Sequence, residues 1–152
     1  MTAVMSASQP TVRALRAEDH DAWRELFRGY AAFYEQSDAM LETTWGWLLD
    51  PDHEVEGLVA EEGERLIGLA HFRPFSRPLA ASVGGYLDDL FVAPDARGSG
   101  AADALLEGVR EIAQDRGWTV VRWITADDNH RARSKYDQVA TRTMWVTYEM
   151  PV

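Results

Sequence analysis

The chain contains no cysteine, which removes disulfide frameworks, thiolate metal sites and cysteine nucleophiles from consideration at once. It has no run approaching the ~18 apolar residues that a membrane-spanning helix needs, so no membrane partner is expected. Positive charge is scarce: 15 lysines and arginines stand against 25 acids, for a net charge of −10. A nucleic-acid binder would present a basic face to neutralise phosphates, so nucleic acid is not an expected partner either. The acid excess would draw a cationic amine, but solubility is the weightier reading, since many soluble proteins are acidic for that reason alone. The first ten residues hold no basic stretch followed by an apolar run, so no secretory signal is read there and a cytoplasmic setting is expected. Internal repeats and low-complexity segments are absent.

What the chain does have is apolar bulk. Hydrophobic residues make up 46 % of its 152 positions and six of them are tryptophan, enough to bury a substantial core within one domain. Residues 1–10 read as a flexible N-terminus and residues 11–152 as a single domain. Val12 and Ala14 alternate in a first strand, and Trp23, Leu26, Phe27, Tyr30, Phe33 and Tyr34 recur at helical spacing behind the capping candidates Asp19 and Asp21. A break follows over Glu35 to Asp38, then a second helix carrying Met40, Leu41, Trp45, Leu48 and Leu49 up to Pro51. Leu58 to Ala60 and Leu66 to Phe72 form a hairpin around Glu62-Gly63-Glu64, and the prolines and glycines of Pro74–Gly85 predict a loop. Tyr86 to Val92 is the next strand. A long amphipathic helix runs from Ala102 to a stop at Gly117, then a strand over Trp118–Thr125, a short helix from Asn129, and a last strand alternating Met144, Val146, Tyr148 and Met150. This order predicts an α/β fold around a mixed sheet.

The segment from Tyr86 to Ala102 is the richest in chemistry. An apolar strand, Pro94, then Arg97-Gly98-Ser99-Gly100-Ala101-Ala102 lead into the long helix. Strand, glycine turn and helix N-terminus in that order leave main-chain N–H groups unpaired and pointing outward, with the positive end of the helix dipole behind them. That arrangement suits a pyrophosphate.

With Tyr86-Leu87-Asp88-Asp89-Leu90-Phe91-Val92-Ala93-Pro94 in front of it, this turn resembles the cofactor motif of the GNAT superfamily of N-acetyltransferases, Gln/Arg-x-x-Gly-x-Gly/Ala, at Arg97, Gly98, Gly100 and Ala102. Downstream, Asn129, Ala132 and Tyr136 are similar to the superfamily's Asn-x-x-Ala-x-x-x-Tyr helix and fall on one helical face. The wording is closest to the histone-acetyltransferase-like and polyamine-acetyltransferase-like branch. One departure stands at Ala140-Thr141, where many relatives have Gly-Phe.

The resemblance implies a single-domain, mostly antiparallel twisted sheet with central strands splayed at the cofactor, acetyl-CoA as cosubstrate, and a primary amine of a small molecule or lysine-like side chain as acceptor. It places the pyrophosphate on Arg97, Gly98, Ser99, Gly100, Ala101 and Ala102, and the pantetheine arm on Phe91 and Val92 with Asn129. It also implies a homodimer joined through the last strands. An alkylammonium (pKa ~10.4) must lose a proton before it can attack. Asp88, Asp89, Glu35 and His71 are candidates for that base, with Asp88 preferred because it aligns with the glutamate of polyamine-type relatives. A departing thiolate gains from a proton, and Tyr136 is the candidate donor. Tyr34, Glu35, Trp45 and His71 are candidates for the acceptor wall, where rings and carboxylates would suit a cation. His20 and His53 lack partners at metal spacing, so no metal is expected.

Two other readings remain. A non-catalytic acyl-CoA-binding regulatory module would keep the turn but not need Tyr136. A dinucleotide oxidoreductase would need Gly-x-Gly-x-x-Gly after the first strand, which is missing here.

Overall fold

The computed structural model describes residues 9–152, so the flexibility expected of the N-terminus falls almost entirely outside the described residues. Five strands, β1 (Thr11–Ala14), β2 (Glu56–Glu62), β3 (Arg65–Arg77), β4 (Ser82–Val92) and β5 (Val121–Arg122), form one sheet in sequential order. All neighbours are antiparallel except β4 and β5, which the helical crossover makes parallel. Helices α1 (His20–Phe33) and α2 (Leu41–Leu49) pack Trp23, Phe27, Leu41 and Trp45 against Val59, Leu69 and Phe91. Helix α3 (Ala101–Arg116) packs Leu105 and Val109 against Leu58, Ala60, Ala70, Phe72 and Leu87. Alternation along β2 and β3 sends neighbouring residues to these two clusters, as a pleated strand between two apolar layers must. The remaining helix, α4 (His130–Val139), has no buried residue. Among the described residues no helix is long and apolar enough to cross a membrane.

Three sequence expectations change. Pro74–Gly85 is a long hairpin rather than a loop: β3 runs on to Arg77 and pairs with β4 through Pro74↔Gly85, and only Pro78–Ala81 turns. Proline is accepted because β3 loses β2 as a neighbour after Phe72, so Pro74 sits where one edge is free. The glycines there are steric. A Cβ on Gly84 would lie 2.7 Å from the Phe75 ring, and one on Gly85 2.5 Å from the Trp118 ring. The strand expected over Trp118–Thr125 shrinks to the two residues of β5. The last strand is not formed. Residues 141–152 pair with nothing in the sheet, because alternation supplies a strand's face but not its ladder partner.

Asp19 occupies the N-cap position of α1 without capping it. Its carboxylate instead accepts the Arg16 main-chain N–H at 2.8 Å and both Nη groups of Arg13 at 2.8 Å. The Arg13 guanidinium holds the Asp19 carboxyl below its usual range against the opposing effect of burial. This contribution to stability is therefore complete above the ordinary value of ~3.9 and is lost as pH falls through the lowered one. Asp19→Asn is expected to cost about 2–3 kcal/mol at neutral pH, read from urea midpoints, and to flatten the acid side of the stability profile.

Candidate active site

Pairing between β4 and β5 spans only Gly85↔Val121 and Tyr86↔Arg122. Beyond it the two segments part, and a cavity of about 650 Å³ opens between them. Its walls are the second half of β4, the turn from Ala96 to Asp103, the segment Trp123–Thr125 and one face of α4, with Tyr30, Phe33 and Tyr34 from the end of α1. The separated motifs of the sequence meet here. Asp88, Phe91, Val92, Arg97, Gly98, Ser99, Gly100, Ala101, Ala102, Asn129, Tyr136 and Tyr34 all line it. Glu35, Trp45 and His71 do not.

At the turn, Gly98 and Gly100 have φ of +86° and +88°, the left-handed region that glycine enters without a Cβ penalty. The Ser99 hydroxyl accepts the Ala101 N–H at 3.3 Å. The N–H groups of Gly98, Gly100, Ala102 and Asp103 find no acceptor among the described residues. Arg97, Arg131 and Lys135 also line the cavity, Lys135 bridging to Asp103 at 2.9 Å. This end of the cavity offers unpaired donors, a helix dipole and cationic side chains, a combination fitted to phosphate groups.

Asn129 caps α4: its Oδ1 accepts the Ala132 N–H at 3.3 Å, and its side-chain NH₂, which lines the cavity wall, has no acceptor among the described residues. Two turns on, Tyr136 sets its ring edge-on to Trp123, with centroids 5.3 Å apart. Partial burial of the ring, with Tyr34 nearby, pushes the Tyr136 phenol above its ordinary value.

Asp88 owes its position to a bulge. His71 pairs with Asp89 and Phe72 with Leu87, so Asp88 is the extra residue, and bulges are a common means of re-aiming a side chain beside a site. Although its side chain remains 30 % exposed, partial desolvation in the cavity wall pushes its carboxyl up, while Arg73 at 3.1 Å pulls the other way. Asp89 turns instead to His71, whose Nδ1 lies 2.8 Å from its Oδ2. The Trp23 indole N–H donates to His71 Nε2 at 2.9 Å. That donation assigns the imidazole proton to Nδ1 and leaves both nitrogens occupied. His71 is 1 % exposed and packs edge-on to Phe27. Trp45 lies in the core, 5.0 Å from Trp23. Glu35 is the turn residue after α1, at φ +56°. Among the described residues no group of three or more carboxylates and histidines could hold a metal ion.

The sequence reading passed over several groups. Tyr30 faces the cavity, and burial beside Asp89 holds its phenol well above the usual value. Arg73 reaches Asp88 from the neighbouring strand and stacks over Tyr86 at 4.8 Å. The one available signal was helical spacing, which put Tyr30 on the inner face of α1.

Residues 18–139 match the acetyltransferase (GNAT) family. The chain is 31 % identical to the D-amino-acid N-acetyltransferase HPA3 of Saccharomyces cerevisiae over 91 % of its own length and 88 % of that protein's. It is 31 % identical to a thialysine N-epsilon-acetyltransferase of Caenorhabditis elegans over 63 % of its length and 62 % of that protein's. Among solved structures, the ribosomal-protein-alanine N-acetyltransferase of Brucella melitensis superposes with a TM-score of 0.80 at 25 % identity, covering 95 % of this chain and all 100 % of that one. The aminoglycoside N-acetyltransferase AAC(6')-Iy, in complex with coenzyme A, shares the fold with a TM-score of 0.83 at 18 % identity over 97 % of this chain and 98 % of that one.

Proposed function

Because this chain belongs to the acetyltransferase (GNAT) family, we propose that it transfers the acetyl group of acetyl-CoA to the primary amine of a small molecule or lysine-like side chain by direct attack, with Asp88 as base and Tyr136 as acid. The observation that carries this reading is the meeting of both motifs and Asp88 around one cavity. Acetyl-CoA supplies the activated thioester. The residues present fit it: N–H groups without acceptors line a turn in which two glycines present no Cβ toward a phosphate. Phe91 and Val92, on β4 where β5 has departed, leave main-chain groups for the pantetheine amides, with the Asn129 NH₂ as an added donor.

Asp88 takes the proton of the amine, directly or through a water, and Arg73 keeps the charged carboxylate available. The C–N bond forms as the C–S bond breaks, and the phenol proton of Tyr136 passes to the departing sulfur. Tyr30, Phe33 and Tyr34 form an aromatic wall for a cationic acceptor. The relatives named for D-amino acids, thialysine and aminoglycosides define the panel to try. Thiol release from acetyl-CoA with that panel, polyamines and basic peptides tests the reading. Turnover with at least one amine is expected, and coenzyme A binding without turnover on any of them would instead describe a regulatory module.

The turn gives its own prediction. A Cβ on Gly98 meets nothing within 4 Å, so Gly98→Ala should cost the fold only about 1–2 kcal/mol for its positive φ. The added methyl group would sit where a phosphate must approach. Coenzyme A affinity by calorimetry is expected to fall by about 10-fold or more. Unchanged affinity would move the pyrophosphate elsewhere.

A further inference from the structure

We propose that Trp23, His71 and Asp89 are positioning residues for Tyr30, turning its hydroxyl proton away from the cavity so that its oxygen receives an N–H of the acceptor amine. None of the three lines the cavity, whereas Tyr30 does. The direction of each hydrogen bond follows from the buried end of the chain. Trp23 and His71 are fully buried, so water serves neither. An indole N–H can only donate. It meets His71 Nε2 at 2.9 Å, which makes that nitrogen an acceptor and puts the one ring proton on Nδ1. Phe27 packs edge-on against the imidazole, with centroids 4.7 Å apart, and keeps it from turning.

Nδ1 lies 2.8 Å from Asp89 Oδ2, and a carboxylate can only accept. Strand register holds this pair together, since His71 on β3 stands directly across from Asp89 on β4. The bulge at Asp88 therefore gives the cavity one aspartate and α1 the other. On α1 the Tyr30 phenol lies beside Asp89, and burial there keeps the proton on its oxygen. Two neighbours compete for that O–H, Asp89 and Tyr34. A charged acceptor makes a hydrogen bond about twice as strong as a neutral one, so the O–H turns to Asp89. Tyr34 is 46 % exposed, and its own hydroxyl is served by water.

With its proton committed in this way, Tyr30 shows the cavity lone pairs alone. A phenol free to rotate would offer a donor or an acceptor equally. This one is fixed from the far end by a group that cannot accept. Such an oxygen suits a primary amine, which still carries two N–H bonds after Asp88 takes one proton from its ammonium form. Holding one of them stops the amine turning about its C–N axis and keeps its lone pair on the thioester carbon, an effect of orientation. That consequence rests on the acetyl-transfer reading, whereas the polarity of the Tyr30 hydroxyl does not.

The test sits on Asp89 and Tyr30, because a substitution at His71 would open the core. Butylammonium and butyltrimethylammonium carry the same charge, but only the first has an N–H to give. Calorimetry on the full chain with coenzyme A bound is expected to show butylammonium about 10-fold or more tighter. Tyr30→Phe should lose about 10-fold of that preference. Asp89→Asn is the sharper variant. Its amide oxygen still accepts from His71, while its NH₂ faces Tyr30 and drives the phenol proton out into the cavity. The preference should therefore fall as far as in Tyr30→Phe although the phenol is intact, and the double variant should lose nothing more. For any amine that is acetylated, kcat/KM should drop about 10–10²-fold in each variant with coenzyme A affinity unchanged. Nitrogen-15 spectra of the parent chain should show His71 protonated at Nδ1 alone, and this with Tyr30→Phe decides the matter should Asp89→Asn not fold. A ring protonated at Nε2, equal affinity of the parent for the two cations, or a full preference kept in either variant would each overturn the proposal. Should no amine be acetylated while the preference and its loss are seen, the hydrogen-bond chain stands and only the acetyl-transfer reading fails.

Discussion

Tyr136→Phe is expected to lower kcat by about 10²–10⁴-fold while leaving coenzyme A affinity nearly unchanged, because it deletes one proton donor and no surface. The phenylalanine ring keeps the edge-on contact with Trp123, so the helix should stay where it is. The pH profile makes the result specific. Partial burial raises the Tyr136 phenol above the ordinary ~10, so the proposed acid is expected to stay protonated through neutral pH, with activity lost only as pH rises through that raised value. In the phenylalanine variant this basic limb should vanish. If rate and profile both persist, the departing thiolate takes its proton from elsewhere and Tyr136 is a packing residue.

Asp88→Asn should lower kcat/KM by about 10²–10³-fold and remove the acid limb of the profile. Partial burial holds the Asp88 carboxyl above the ordinary carboxylate value of ~3.9 despite Arg73, so with Asp88 as the proposed base, parent activity is expected to fall as pH drops through that higher value. The sign for stability is the reverse of Asp19. A raised value means that the folded state binds the proton more tightly than the unfolded one, and stability is lost as pH rises through it. The asparagine variant should unfold at about the same temperature or slightly higher, with activity lost. Retained activity with an unchanged acid limb would remove Asp88 from the mechanism.

Much of this was legible along the chain. The order of strands and helices up to α4, the glycine turn on a helix N-terminus, and the common face of Asn129 and Tyr136 all follow from spacings of a few residues. Other features were not. The bulge that presents Asp88 depends on how β3 and β4 register, and no local residue announces it. His71 looked free to line a pocket because its partner Trp23 lies 48 residues away in sequence. Pro74 and two nearby glycines read as a loop because the rings of Phe75 and Trp118, which make small residues necessary, come into view only when the sheet is assembled.

By itself, then, the sequence determined the local chemistry: where donors would be left unpaired, which helix face would carry a phenol, and that the tail alternates like a strand. These are consequences of bonding geometry within a few residues of one another. The tertiary structure decided which of two adjacent aspartates faces the cavity, which histidine is locked in the core, and that the tail joins no strand among the described residues. Those outcomes depend on contacts between segments far apart in sequence, and such contacts have no fixed spacing to read.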